Sequence, residues 1–295
     1  MPFKNKNYWA IILGGSSGFG LATAKKLAQS GMNLCILHRD RRQDIPTITK
    51  HFENLKRENI QVLHFNVDAT KEEKQHEVLS VLKTKFATGG KVRLLLHSIA
   101  KGNLKNLNNS QKKIDFQNIT NKPDLNNIYQ KLSDFQQENK QKDLPVLNKK
   151  DFEITIQNMA LSLLDWVNLL HQNELFAPDA RVIGLTSEGW EKAWHNYAAI
   201  SAAKATLTTL MRSIALEFAP FGIRCNLVQP GITDTPALKK IPNSDHLKLH
   251  TTLRNPFNRL TKPEDVANVI YLLCQEEAKW INGAIIPVDG GERNS

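Results

Sequence analysis

Three polar side chains are spaced so that they could act together on a substrate oxygen. Tyr197 and Lys204 are seven residues apart, and Ser187 precedes the tyrosine by ten. On an α-helix, positions seven apart return to the same face about two turns on. A phenol donates hydrogen bonds and is a weak acid, and a nearby ammonium favours its ionised form and strengthens it as a donor. Such a set suits the stabilisation of negative charge developing on an oxygen. Two of them also have a plainer reading: Tyr197 as an aromatic that tethers a helix, Ser187 as a helix or turn cap.

A second group of residues could hold phosphate. Leu13-Gly14-Gly15-Ser16-Ser17-Gly18-Phe19-Gly20 follows an apolar run and opens a helical pattern. Glycines there allow a tight turn and close approach of a pyrophosphate, while the helix N-terminus supplies free N–H groups. The turn alone would also satisfy a strand-to-helix connection with no ligand. The next apolar run ends at Leu37-His38-Arg39-Asp40. An acid at such a tip holds a ribose 2′-hydroxyl and repels a 2′-phosphate, whereas arginine binds that phosphate. Arg39, with Arg41 and Arg42 adding positive field, points to NADPH over NADH; Asp40 argues the other way.

These side chains need elements to position them. Strands are expected at Ala10–Leu13, Leu34–Leu37, Val62–Phe65, Val92–Leu96, Arg181–Leu185, Ile223–Val228 and Ala284–Val288. Helices are expected at Phe19–Gln29, from Pro46 to about Glu58, from Thr70 to about Phe86, at Asp151–Leu170, at Tyr197–Phe218, and from Thr261 to about Gln275. Thr70 with Glu73, and Thr261 with Glu264, have capping-box spacing. Continuous apolar strands alternating with helices predict an α/β fold, a Rossmann-type doubly wound sheet of about seven parallel strands with helices on both faces. Residues 1–295 read as one domain. Its rhythm breaks at about 101–150, rich in Asn, Lys and Gln, which reads as an insertion beyond the fourth strand with a short amphipathic helix over Ile128–Gln137. A lid, a carrier-docking element and a tolerated surface insertion all fit it.

Composition narrows the classes. The net charge of +10 suits either a solvated basic surface or an acidic ligand such as a phosphorylated cofactor, a coenzyme A ester or an acidic carrier protein. Nucleic acid is not expected, because the basic residues are scattered and lack interleaved aromatics. Cys35, Cys225 and Cys274 sit in apolar runs with no zinc or redox spacing, as buried thiols of a cytoplasmic protein would. No run reaches the ~20 apolar residues of a membrane span. The apolar run ending at Leu13 is too short for a signal peptide and reads as the first strand. His97 and His195 have no acidic or cysteine partners at ligand spacing, so no metal is expected.

Together these motifs resemble the short-chain dehydrogenase/reductase family. Its turn usually reads T-G-x3-G-x-G, with Leu13 replacing the threonine here. The resemblance implies a cofactor contacted by Gly14, Ser16, Ser17, Gly18, Phe19 and Gly20, with His38 at the family's usual acidic position and Arg39 next to it. It implies adenine contacts from Asn66, Val67 and Asp68. His97-Ser98-Ile99-Ala100 stands where most members have Asn-Asn-Ala-Gly, and its Ser98, Ile99 and Ala100 are similar to the enoyl-acyl carrier protein reductases. Pro230, Gly231, Ile232 and Thr235 fit the P-G-x3-T that contacts the nicotinamide carboxamide.

Most members carry Tyr-x3-Lys, but four residues before Lys204 stands Ile200, which cannot donate a proton. Tyr197 gives Tyr-x6-Lys instead, similar to the enoyl reductases, and Ser187 resembles their NADPH-dependent type III form. In enoyl reduction hydride reaches the β-carbon while charge develops on the thioester oxygen, several bonds away. A donor for that oxygen must therefore stand further from the hydride-accepting carbon. The resemblance implies that Lys204 binds the nicotinamide ribose, Tyr197 stabilises the enolate oxygen and Ser187 assists. It implies an acyl thioester substrate, a homotetramer or homodimer, and a covering segment over Ala237–Leu253. The stretch Asp234 to Asn243, with Asn255-Pro256, Arg259 and Val288-Asp289-Gly290-Gly291, also looks like that form. Trp190 and Trp194 either wall an acyl pocket or pack a loop. A carbonyl reductase with a rearranged site, and a catalytically idle cofactor-binding regulator, are the alternatives.

Overall fold

The computed structural model describes residues 1–108, 146–241 and 244–295. Strands β1 (Tyr8–Leu13), β2 (Asn33–His38), β3 (Val62–Asn66), β4 (Lys91–His97), β5 (Phe176–Leu185), β6 (Ile223–Pro230) and β7 (Ile285–Val288) form one sheet in the order β3-β2-β1-β4-β5-β6-β7. Every pairing is parallel. The α-helices among the described residues are α1 (Gly18–Ala28), α2 (Ile45–Lys56), α3 (Glu72–Phe86), α4 (Lys149–Ile156), α5 (Ser162–Gln172), α6 (Ala198–Glu217), α7 (Ser244–Arg254) and α8 (Pro263–Leu273). The chain winds outward in one direction through β1, β2 and β3 and in the other from β4 onward. A crevice therefore opens at the carboxyl ends of β1 and β4.

The apolar runs make these strands because both faces of the sheet are covered. Side chains alternate between faces along a strand. Trp9, Ile11 and Leu13 of β1 pack with Val78, Leu82, Trp166 and Leu207 on one face. Ala10 and Ile12 pack with Leu27, Phe52 and Ile270 on the other. Leu13 is thus core, and the turn that follows is closed by the backbone instead: Gly14 and Gly15 N–H both donate to Leu37 O. The three cysteines are free and buried. Among the described residues, no helix is long and apolar enough to cross a membrane.

Several local expectations are corrected. Neither Thr capping box forms. Thr70 turns its hydroxyl to Asp68 at 2.7 Å, and α3 starts after Lys71 without a side-chain cap. At α8 the N-cap is Lys262, whose amide donates to Asp265 at 2.8 Å. The helix expected over Asp151–Leu170 is interrupted by a π-helical turn at Gln157–Leu161. α7 lies within the expected covering segment and was not foreseen as a helix. Its Lys248 pairs with Asp234 at 3.0 Å, tying it to the loop after β6. The helix expected over Ile128–Gln137, most of the 101–150 insertion, and Pro242 and Asn243 lie outside the described residues.

Candidate active site

One cavity of about 720 Å³ runs across the carboxyl ends of the strands. Ser187, Tyr197 and Lys204 all line it. So do Gly14, Ser16, Ser17, Gly18, Phe19, His38, Arg39, Val67, Asp68, Ser98, Ile99, Ala100, Pro230, Gly231, Ile232 and Thr235. Gly20 and Asn66 do not. A Cβ at Gly20 would stand 2.1 Å from Gly14 O, so this glycine serves the packing of helix on turn. Asn66 spends its amide on the β2 tip: Oδ1 accepts from Asp40 N at 2.9 Å and Nδ2 donates to Asp40 O at 3.2 Å.

The glycine turn fits a phosphate-bearing cofactor. Gly14 has φ +89°, and a Cβ on it would lie 2.6 Å from Ser98 O. Ser17 at the α1 N-cap makes no side-chain hydrogen bond to the first turn. The first amides of α1 therefore lack the side-chain acceptor that usually satisfies one of them, and they face the cavity with the positive end of the helix dipole.

At the β2 tip the charges are paired. The His38 ring is buried against Phe52, and its Nδ1 lies 2.8 Å from Asp40. Arg39 is exposed and reaches Asp68 at 2.9 Å, as does Lys101 at 3.3 Å. Burial alone would raise the Asp68 carboxyl, but the Thr70 hydrogen bonds and the Lys101 charge hold it below its ordinary value.

The reactive end is built on α6. Tyr197 is its N-cap residue, not its first helical residue as expected. Its hydroxyl lies 3.5 Å from Ser187 Oγ. Gly189 makes this placement possible: a Cβ there would sit 2.6 Å from the Tyr197 ring. Trp194 packs against the same ring, with centroids 5.6 Å apart. Trp190 does not line the cavity, and its indole N–H donates to Gln229. Ile200, Met159 and Ala203, with Leu104 beside them, form an apolar wall next to Tyr197.

Lys204 is buried, and its ammonium donates to Leu185 O at 2.6 Å. Burial pushes it down to about 8. Burial raises the Tyr197 phenol, and the Ser187 contact opposes this. The phenol thus stands above its ordinary value, not below it where the Lys204 charge was expected to put it. His97 is pushed down to about 3, by burial first and Lys204 second, and meets Ser162 Oγ at 2.8 Å. It is a neutral structural residue. Among the described residues no cluster of His, Cys, Asp or Glu is placed to hold a metal ion.

Sequence reasoning missed Gly189, Lys101 and Glu292. Only Gly189 carried a signal, standing two residues after Ser187 and eight before Tyr197.

A profile described as short chain dehydrogenase matches residues 8–121, and one described as Enoyl-(Acyl carrier protein) reductase matches residues 135–292. Cis-4-hydroxycyclohexanecarboxylate dehydrogenase of Sinomonas cyclohexanicum is 42% identical over 96 residues, 32% of this chain and 38% of that protein. The 7alpha-hydroxysteroid dehydrogenase of Escherichia coli K12 is 31% identical over 136 residues, 43% of this chain and 52% of that protein. The chain thus spans about half or less of these curated relatives. In fold it is similar to the enoyl-[acyl-carrier-protein] reductase (NADH) of Aquifex aeolicus VF5, with TM-score 0.73 and 21% identity over 100% of this chain and 99% of that one. It is also similar to YwfH, an NADPH dependent reductase, with TM-score 0.71 and 22% identity over 98% and 99% of the two chains. Sheet order, glycine turn and the matched profiles together place the chain in the short-chain dehydrogenase/reductase family of oxidoreductases.

Proposed function

We propose that the protein reduces the trans-2 double bond of an acyl thioester with NADPH. The observation that carries this reading is the placement of the two hydroxyls. Ser187 and Tyr197 meet at the head of α6, while position 200, nearer to Lys204, is the apolar Ile200 in the cavity wall. A proton donor is thus displaced from the lysine, and the vacated place suits an acyl chain. When bound, NADPH supplies the hydride. Gly14, Ser16 and the first turn of α1 would hold its pyrophosphate, and Arg39 its 2′-phosphate. Asp40 is already engaged by His38, which supports the phosphorylated cofactor. Lys204 would turn from Leu185 O to the ribose, and Tyr197 would donate to the thioester oxygen as charge develops there, with Ser187 holding the phenol in place.

The same reading makes 1–295 one reductase domain of a cytoplasmic homotetramer or homodimer, taking its substrate on an acyl carrier protein or coenzyme A. A second reading, reduction of a carbonyl, is favoured by the dehydrogenases among the relatives. NADPH oxidation with a trans-2-enoyl thioester beside the matching 3-ketoacyl thioester separates the two, with NADH as control. Enoyl turnover alone is expected, and Tyr197→Phe should lower it about a hundredfold or more. Ketoacyl turnover alone would overturn the enoyl assignment, and faster turnover with NADH would overturn the cofactor assignment.

A further inference from the structure

Glu292 follows β7 and is only 3% exposed, yet it lines the cavity. A buried carboxylate is costly unless its lone pairs are satisfied, and it has about four acceptor sites. Among the described residues, Glu292 fills few of them. Oε2 accepts from Ile232 N–H at 3.1 Å, and Oε1 has Arg254 at 3.5 Å. Arg254 is divided, lying 3.7 Å from Glu188 as well, and its Nε has no partner among the described residues. Burial raises the Glu292 carboxyl, with the Ile232 hydrogen bond and the Arg254 charge opposing.

The position of this carboxylate says what it faces. The pyrophosphate site is the glycine turn, and Arg39 and Asp68 mark the adenosine end over β2 and β3. A dinucleotide crossing the switch point therefore carries its other half over β4 to β6, past Lys204 and Gly231. Glu292 closes that end: a Cβ on Gly231 would stand 2.5 Å from Glu292 Oε2. An under-satisfied acceptor there calls for a ligand with N–H donors, and the primary amide of a nicotinamide ring has two.

We propose that Glu292 is a cofactor-contacting residue whose carboxyl group, positioned by the Ile232 amide and Arg254, accepts a hydrogen bond from the nicotinamide carboxamide. This rests on the nicotinamide-cofactor reading above. The test is equilibrium binding of NADPH and of 2′,5′-ADP, which lacks the nicotinamide half, to the wild type, Glu292→Gln and Glu292→Ala. Glu292→Ala should bind NADPH about tenfold more weakly and 2′,5′-ADP unchanged, with Glu292→Gln between the alanine variant and wild type for NADPH. Equal weakening of both ligands, or of neither, overturns the proposal. A second measurement needs no variant: the cofactor analogue with an acetyl group in place of the carboxamide should bind the wild type about fivefold or more weakly than NADPH. Equal binding of analogue and NADPH also overturns it. If the wild type binds 2′,5′-ADP but discriminates against neither change, Glu292 fails and the cofactor site stands; if it binds neither ligand, the cofactor reading falls and the proposal with it.

Discussion

The two ends of the sheet bury cations in opposite ways. At the amino end, Arg93, Arg181 and Arg224 converge on Asp179. Further donors are spent on carbonyls at the C-terminus of α8: Arg181 donates to Leu273 O at 2.8 Å and Arg93 to Cys274 O at 2.7 Å. Burial would raise the Asp179 carboxyl, but hydrogen bonds and charge from Arg181 and Arg93 hold it at about 2. At the carboxyl end, Lys204 is as deeply buried and has one carbonyl. The saturated cluster locks α8 to β4, β5 and β6. Among the described residues that carbonyl is the one acceptor of the Lys204 ammonium. A buried charge with complete partners ties elements together, and one with few is a candidate for chemistry.

The largest effect should come from breaking the saturated end. Asp179→Ala leaves three guanidiniums facing one another and should cost about 3–5 kcal/mol in urea unfolding. A loss under 1 kcal/mol, the ordinary worth of an exposed ion pair, would show the cluster to be dispensable.

Lys204→Met should do the reverse. Turnover should fall about a hundredfold, while stability of the free protein is unchanged or rises by about 1–2 kcal/mol. The sign can be checked against pH. The folded lysine lies at about 8, below its ordinary 10.5, so folding disfavours its charged form. Wild-type stability relative to Lys204→Met should therefore be lowest below pH 8 and rise between about 8 and 10.5. A flat difference across that window would mean that the lysine is not buried as described.

A smaller effect sharpens the site itself. Gly189→Ala would press a methyl group into the Tyr197 ring and should lower kcat about tenfold, near 1.4 kcal/mol, with KM for the cofactor unmoved. An equal loss in cofactor binding would point to a broader collapse of the loop.

Much of this was legible in the residues. Apolar runs marked the strands, most fully at the centre of the sheet where both faces are covered, and strand, turn and helix around Gly14 pointed to a phosphate-bearing ligand. Tyr197 and Lys204, seven apart in one helical pattern, were expected to share a face, and both line the same cavity, with Tyr197 at the N-cap and the Lys204 ammonium on Leu185 O. The rest depended on distance in the chain. Arg93, Arg181 and Arg224 are scattered, and nothing local reveals that one aspartate collects them. Ile232 and Glu292 meet across sixty residues. The caps failed for a nearer reason: Thr70 found Asp68 before the helix, and of the adjacent acids Glu264 and Asp265 the second reached the N-cap amide.

The π-helical turn at Gln157–Leu161 works as a splice in the helix. A regular helix advances about 100° per residue, and a wide turn takes up one extra residue so that the helix beyond it keeps its phase. Leu163, Trp166, Val167 and Leu170 therefore still face the core, and the Trp166 indole still donates to Ala69 O at 2.8 Å. Tightening the turn without shortening the chain would swing these side chains about 100° off their places, whereas deleting one residue together with the turn would leave them where they are. In this stretch the sequence can gain or lose a residue without the core registering it.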